Sequence, residues 1–429
     1  MRMIKDLPEL LQAGVITQDT ADRIQTYYDN KPSGSTNRLF VIFGVLGAIL
    51  VGLGVILIVA HNWDELARST QTLLAFLPLL IGQVFCGFTL LKKPESVAWR
   101  EGTAAFLFFA VGASISLVSQ IYHIPGDLSS FIFVWMLLCF PLVYVMKSSM
   151  VSLLYLIGIT YYAAETGYWA FPRIEFESYL YWALLLAVLP HYYLLYKQKP
   201  KSNFMTFHHW FIPLSVVMVL GTVADQTEEL MFIAYFNLFG LLYLIGNSSF
   251  FTQQKARNNG YRILGSLGTI ALLLGLSFDA FWEDLRRGGL QFNEAVATPE
   301  FALVLVTTLL AGWLFYMRHK HKPLDEIQPL SSVFILFLLT FALGLFLPYA
   351  AVLINLYVLA IGILIVREGA RKDHLGILNY GLLIITALVI CRFFDTDLSF
   401  VIRGILFVSV GVGFFAANYR MLKRRKANE

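Results

Sequence analysis

Residues 39–60 read LFVIFGVLGAILVGLGVILIVA, twenty-two positions without a charge, and the run stops at His61-Asn62-Trp63-Asp64-Glu65. About twenty apolar residues in helical form span the ~30 Å hydrocarbon core of a bilayer. Lipid offers no hydrogen bonds to the backbone, so such a run either closes its own bonds as a helix or joins a closed barrel. Barrel strands alternate apolar and polar positions over about ten residues, and this run does not alternate. The reading is a membrane-crossing helix. A secretory signal places a shorter apolar core nearer the N-terminus, so the run is expected to be a permanent span.

Runs of the same kind recur to the end of the chain. The expected spans are 39–61, 70–91, 102–121, 128–146, 149–165, 178–196, 209–223, 230–246, 261–281, 301–317, 329–347, 349–366, 376–392 and 398–418. Composition agrees: 58% of the 429 residues are hydrophobic and 14% charged, with a mean hydropathy of +0.67; soluble proteins carry about 25% charged residues. The fold class is an all-α integral membrane protein of about fourteen transmembrane helices. The pair divided at Leu347-Pro348-Tyr349 also reads as a hairpin within the membrane. Cys86, Cys139 and Cys391 lie in or beside apolar runs without CxxC spacing, so neither a disulfide nor a metal site is expected.

Charge tests the count. With alternate loops on opposite sides and the N-terminus inside, 26 of the 32 Lys and Arg fall on inner loops. The outer loops hold Arg68, Arg173, Arg286, Arg287 and Arg392, and Arg403 lies within the last run. This is the asymmetry that membrane insertion imposes; it places both termini in the cytoplasm. Sixteen of the 28 Asp and Glu fall outside, which leaves the outer loops at −11. Exclusion of cations during insertion explains that balance. A surface that attracts cations is the sharper reading.

Residues 1–38 form a cytoplasmic piece. Leu7, Leu10 and Leu11 at helical spacing run to Gly14, a helix stop, and Thr17 caps a second helix bearing Ala21, Ile24, Tyr27 and Tyr28. A helical hairpin and linker result, which would hold a cytoplasmic protein partner through residues 1–30 or pack on inner loops. Within the membrane, Phe43-Gly44-Val45-Leu46-Gly47 matches Leu264-Gly265-Ser266-Leu267-Gly268, with Gly54 and Gly275 at equal distance beyond. One reading is a 6+2+6 parallel repeat: bundles at 39–196 and 261–418, two linking helices within 197–260, and a basic tail at 419–429. The other is convergent Gly-rich packing.

Ionisable groups inside lipid are costly and therefore point to function, yet mid-span positions offer only neutral groups such as Asn237 and Asn355, and no buried carboxylate is evident. Polar residues gather instead at outer ends: His61, Asn62, Trp63 and Asp64 after the first span; Gln120, Tyr122, His123 and Asp127 after the third; Glu165 after the fifth; Arg392 and Asp395 after the thirteenth; and Arg403 one turn inside the last. His61 with His123, and Asp64 with Asp127, would supply imidazoles and carboxylates at one depth for a divalent cation or proton exchange. Arg392 and Arg403 would clamp a phosphate or carboxylate. An interfacial belt, helix capping, pairing of Arg392 with Asp395 or Asp397, and snorkelling by Arg403 are the plainer readings.

The Gly-rich first span running into AHNWDEL (60–66), together with SLVSQIYHIPGD (116–127), resembles the DUF2157 family of bacterial membrane proteins. RFFDTD (392–397) followed by RGILFVSVGVGFFAANYR (403–420) is similar to the end of the same proteins. The resemblance implies a bacterial inner membrane and no particular mechanism. There is no phosphate loop, HExxH, GxSxG or nucleic-acid module, so no cofactor and no nucleic acid are expected. The leading expectation is a transporter or lipid flippase with a polar pocket at the outer face, its partners the bilayer and an anionic or lipid-linked small molecule. The alternatives are a membrane-embedded enzyme acting on a lipid-linked envelope substrate, and a non-catalytic scaffold or sensor that uses the N-terminal hairpin.

Overall fold

A computed structural model describes residues 7–8, 10–29, 63–169, 175–252, 254, 256–288, 292–321, 323, 327–393 and scattered positions between 399 and 419. The described chain is helical, with no strand among the described residues. It divides into two compact units, 1–74 and 75–429.

In the first unit, Gly14 takes a left-handed φ of +68°, the conformation that ends helices and that glycine adopts without strain. The Gly14 and Val15 amides donate back to Leu11 and Leu10. Thr17 Oγ1 then accepts from the Thr20 amide at the head of α1 (Gln18–Asp29), on which Ala21 is buried. Residues 63–65 form a 3-10 turn whose Trp63 carbonyl accepts from Gln71 Nε2 at 2.8 Å.

The second unit is built from long helices. They are α2 (Arg68–Lys92, which begins in the first unit), α3 (Val97–Tyr122), α4 (Leu128–Val145), α5 (Ser149–Ala164), α6 (Glu175–Gln198), α7 (Asn203–Leu220) and α8 (Leu230–Gly246), followed by α9 (Gly260–Gly275), α10 (Asp279–Gly288), α11 (Pro299–His319), α12 (Val333–Gly344), α13 (Ala350–Arg371) and α14 (Leu375–Phe393). Eight described helices are long and apolar enough to cross a bilayer, or nine if α9 and α10 together form one span. Expected runs 39–61 and 398–418 lie wholly or partly outside the described residues, as does the first copy of the glycine repeat.

Two elements depart from the expected spans. The run 261–281 is not one helix: α9 and α10 meet at 74°. Ser277 and Asp279 interrupt the apolar run between Leu276 and Phe281, and the corner falls there, with Asp279 opening α10. The run 329–347 yields only the twelve residues of α12, preceded by a 3-10 turn at 329–331.

The described interior has two large apolar clusters and a small third at Leu378 and Leu382. One large cluster is centred on Met136, Tyr155, Leu156 and Tyr181, the other on Phe236, Trp282, Phe337 and Ile354. Because lipid is as apolar as leucine, helices associate here through close backbone approach at small residues. A Cβ on Gly265 would stand 2.5 Å from the Tyr243 amide nitrogen and 2.7 Å from the Phe239 carbonyl oxygen, which fixes the seam of α8 and α9. Gly381 meets the Gly362 carbonyl and the Val366 amide in the same way across α13 and α14. Outward positions such as Leu77, Val84, Leu137, Leu186 and Leu309 are exposed, as a lipid-facing surface requires.

Helix ends read from the sequence as sharing a side do touch. The Glu101 carboxylate accepts from Ser148 Oγ and from the amides of Ser149 and Met150, and so caps α5. Tyr243 donates to Gln328, and Arg392 to Ser277.

Candidate functional site

Three polar centres stand out in the second unit. The first is a groove enclosing about 1050 Å³ between α2, α3 and α4. Its polar groups gather about the 122–128 turn, where Ser119, Gln120, Asp127 and Ser130 stand among Ile124, Pro125 and Leu128. Away from the turn it becomes largely apolar, with Phe76 and Leu79 on α2, Val111 and Ile115 on α3, and Val134 and Leu138 on α4; Gln83 and Ser116 are the polar exceptions open to it. From Gln120 to Val111 the groove runs about 14 Å along α3 at 1.5 Å per residue. Ser114 is turned to structural use, its hydroxyl donating to the Ala75 carbonyl at 2.7 Å.

The turn itself explains the polar end. α3 closes on His123, whose φ of 51° is left-handed, and the Ile124 amide returns to the Ser119 carbonyl at 2.9 Å. Asp127 is the N-cap of α4, accepting from the Ser130 amide at 2.6 Å and Ser129 Oγ at 2.8 Å. Those bonds hold its carboxyl below the usual carboxylate range, the Ser130 amide first among them.

The second centre is the corner between α9 and α10. A broken helix at membrane depth frees carbonyls that neighbours must satisfy. Here the Leu276 carbonyl accepts from buried Trp282 Nε1 at 2.8 Å, and the Ser277 carbonyl from Asn355 Nδ2 at 2.8 Å. Arg392 Nη2 donates to Ser277 Oγ at 3.1 Å while its guanidinium lies 4.5 Å from the Phe278 ring centroid.

The third centre gathers His191 of α6 and His208 and His209 of α7, all buried. His208 Nδ1 lies 2.7 Å from the Phe204 carbonyl, so that nitrogen carries the proton, and Nε2 accepts from Ser152 Oγ at 2.9 Å. Tyr261 donates to Tyr192, which leaves the Tyr192 hydroxyl proton for His209 Nδ1 at 2.9 Å. His209 Nε2 then bears a hydrogen with no hydrogen-bond partner; the rings of Phe250, Phe251 and Tyr261 surround the imidazole at 4.7–6.0 Å. His191 reaches Ser149 Oγ at 3.3 Å and stands 6.1 Å, ring to ring, from His208. Sequence reading placed polar residues at outer ends only. The signal for this inner set was the adjacent His208-His209 pair and His191 one helix earlier, on either side of the lysines at 197, 199 and 201.

The structure thus brings Gln120 and Asp127 to one groove. Tyr122 and His123 are exposed beside it and do not line it. Glu165 opens a π-helical turn, 165–169, whose Gly167 packs on Thr222; it does not line the groove either. Trp63 and Asp64 belong to the first unit. His61, Asn62, Asp395 and Arg403 lie outside the described residues, and with them the expected pairings of His61 with His123 and of Arg392 with Arg403. Among the described residues no group of three His, Cys, Asp or Glu could hold a metal ion. Glu300, which the charge count sets in an outer loop, is fully buried in the first turn of α11.

No curated protein and no solved structure matches the chain significantly. RFFDTD and the final glycine-rich run lie beyond the residues that the family model matches. Over residues 8–152, which hold α1 to α4 and the whole groove, the chain matches the family model DUF2157, described as a predicted membrane protein.

Proposed function

We propose that the chain binds an amphipathic lipid or lipid-linked molecule in the groove between α2, α3 and α4 and moves it across the bacterial inner membrane. The observation that carries this reading is the division of the groove wall. Hydroxyl, amide and carboxylate groups meet at the 122–128 turn, and mostly apolar surface continues along the groove toward the membrane interior. A headgroup seeks the former and a hydrocarbon chain the latter. Ligand sites of this kind are apolar clefts with a few placed polar groups. The reading sets the polar end at the outer face, with fourteen spans and both termini cytoplasmic, as the Lys and Arg distribution implies.

The test is transfer of a fluorescent phospholipid between leaflets of vesicles containing the purified protein. Transfer should exceed that of protein-free vesicles. Val134→Trp, which fills the groove from its lipid-facing side, should slow it about tenfold, corresponding to about 1.4 kcal/mol on the barrier. Transfer no faster than in empty vesicles, or a Val134→Trp variant as active as the parent, would sink the proposal.

A further inference from the structure

Glu300 belongs to none of the three centres. It sits in the first turn of α11, just after the N-cap Thr298 and Pro299, and is 0% exposed. Its Oε1 accepts three backbone N–H groups in succession, from Asp225 at 2.5 Å, Gln226 at 2.8 Å and Thr227 at 3.1 Å. Such a nest of amides, added to the positive end of a helix, favours the ionised carboxylate. Its Oε2 is buried and has no hydrogen-bond partner.

The hydroxyl protons beside it are already committed. Thr298 Oγ1 donates to the Ala295 carbonyl at 2.8 Å, so in the 3.0 Å contact between the two threonines Thr227 is the donor. What these hydroxyls still offer is lone pairs. A carboxylate oxygen withdrawn from water is costly unless it is paired or coordinates a cation. Oxygen donors of this type, carboxylate and hydroxyl, are the hard ligands that alkali and alkaline-earth ions take. One buried carboxylate carries a single negative charge. That matches a monovalent ion rather than a divalent one. The same loop carries Asp225 and Glu228, both exposed, which raise the local cation concentration.

We propose that Glu300 Oε2, with the Thr227 hydroxyl, binds a monovalent cation that joins the 224–229 loop to the start of α11. The site stands independently of lipid movement, and its test reads no transport. The full-length protein in detergent is unfolded thermally at constant ionic strength in sodium, potassium or N-methylglucamine chloride. Sodium at about a hundredfold its Kd should raise the midpoint by about 5 °C over N-methylglucamine. Glu300→Gln keeps an oxygen acceptor for the three amides and loses the charge, so it should fold and lose the sodium effect, whereas Glu228→Gln should keep it. Equal midpoints in all three salts, or a full sodium effect in Glu300→Gln, would overturn the site. Should that variant fail to fold, equilibrium binding of radioactive sodium to the parent decides: one saturable site per chain supports the proposal, and none overturns it.

Discussion

Asp127 shows how much one residue discloses and withholds. Its place after Pro125-Gly126 and before an apolar run announces a helix cap, and the structure has it capping α4 through the Ser130 amide. Asp127→Ala should lower stability by about 1 kcal/mol, the usual worth of a cap, while Asp127→Asn retains the acceptor and loses only the charge. The folded carboxyl titrates below its ordinary value. Its contribution is therefore complete above the unfolded pKa of about 4 and disappears as pH falls through the lower folded value. Melting curves from pH 7 to pH 3 should fall more steeply for the parent than for Asp127→Asn; parallel curves would contradict this sign. Glu300, by contrast, was illegible. An acid next to Pro299 at the start of a span reads as a solvated first-turn residue, and only the fold brings the amides of residues 225–227, some seventy positions away, onto it. The histidines fall between these cases: their identity was in view, but their burial arises from α5 and α9 packing over them.

Among the elements, period and hydropathy located helices well because lipid imposes one solution on every apolar run. They located corners badly, since the cost of the break at Ser277 is met by Trp282 and Asn355 from elsewhere in the chain. Glycines were visible as a class, but which of them carries a seam was not. Gly265 abuts backbone atoms of α8, whereas Gly87 has nothing within 4 Å of an added Cβ. Gly265→Ala should therefore destabilise the protein by about 1–3 kcal/mol through overpacking, and Gly87→Ala should be neutral or stabilise by up to about 1 kcal/mol. Thermal midpoints of the two purified variants compare them directly, and equal midpoints would show that α8 and α9 do not meet as described.

At the scale of the molecule, sidedness rests on charge. Of Gly126→Cys and Lys147→Cys, at opposite ends of α4, the former should react with a membrane-impermeant thiol reagent in intact cells and the latter only after the cells are permeabilised. Labelling of both from one side would remove the alternation. The native cysteines should stay quiet, being buried at Cys86 and Cys139 and half-buried at Cys391.

The brevity of α12 has a mechanical corollary. Twelve residues rise about 18 Å, against a hydrocarbon thickness of about 30 Å. Were α12 to cross the membrane as the expected eleventh span, lipid chains on its exposed Leu336 and Leu339 would meet a wall shorter than themselves, and the bilayer would dimple there or polar termini would be drawn inward. Either response would thin the hydrocarbon layer beside that helix.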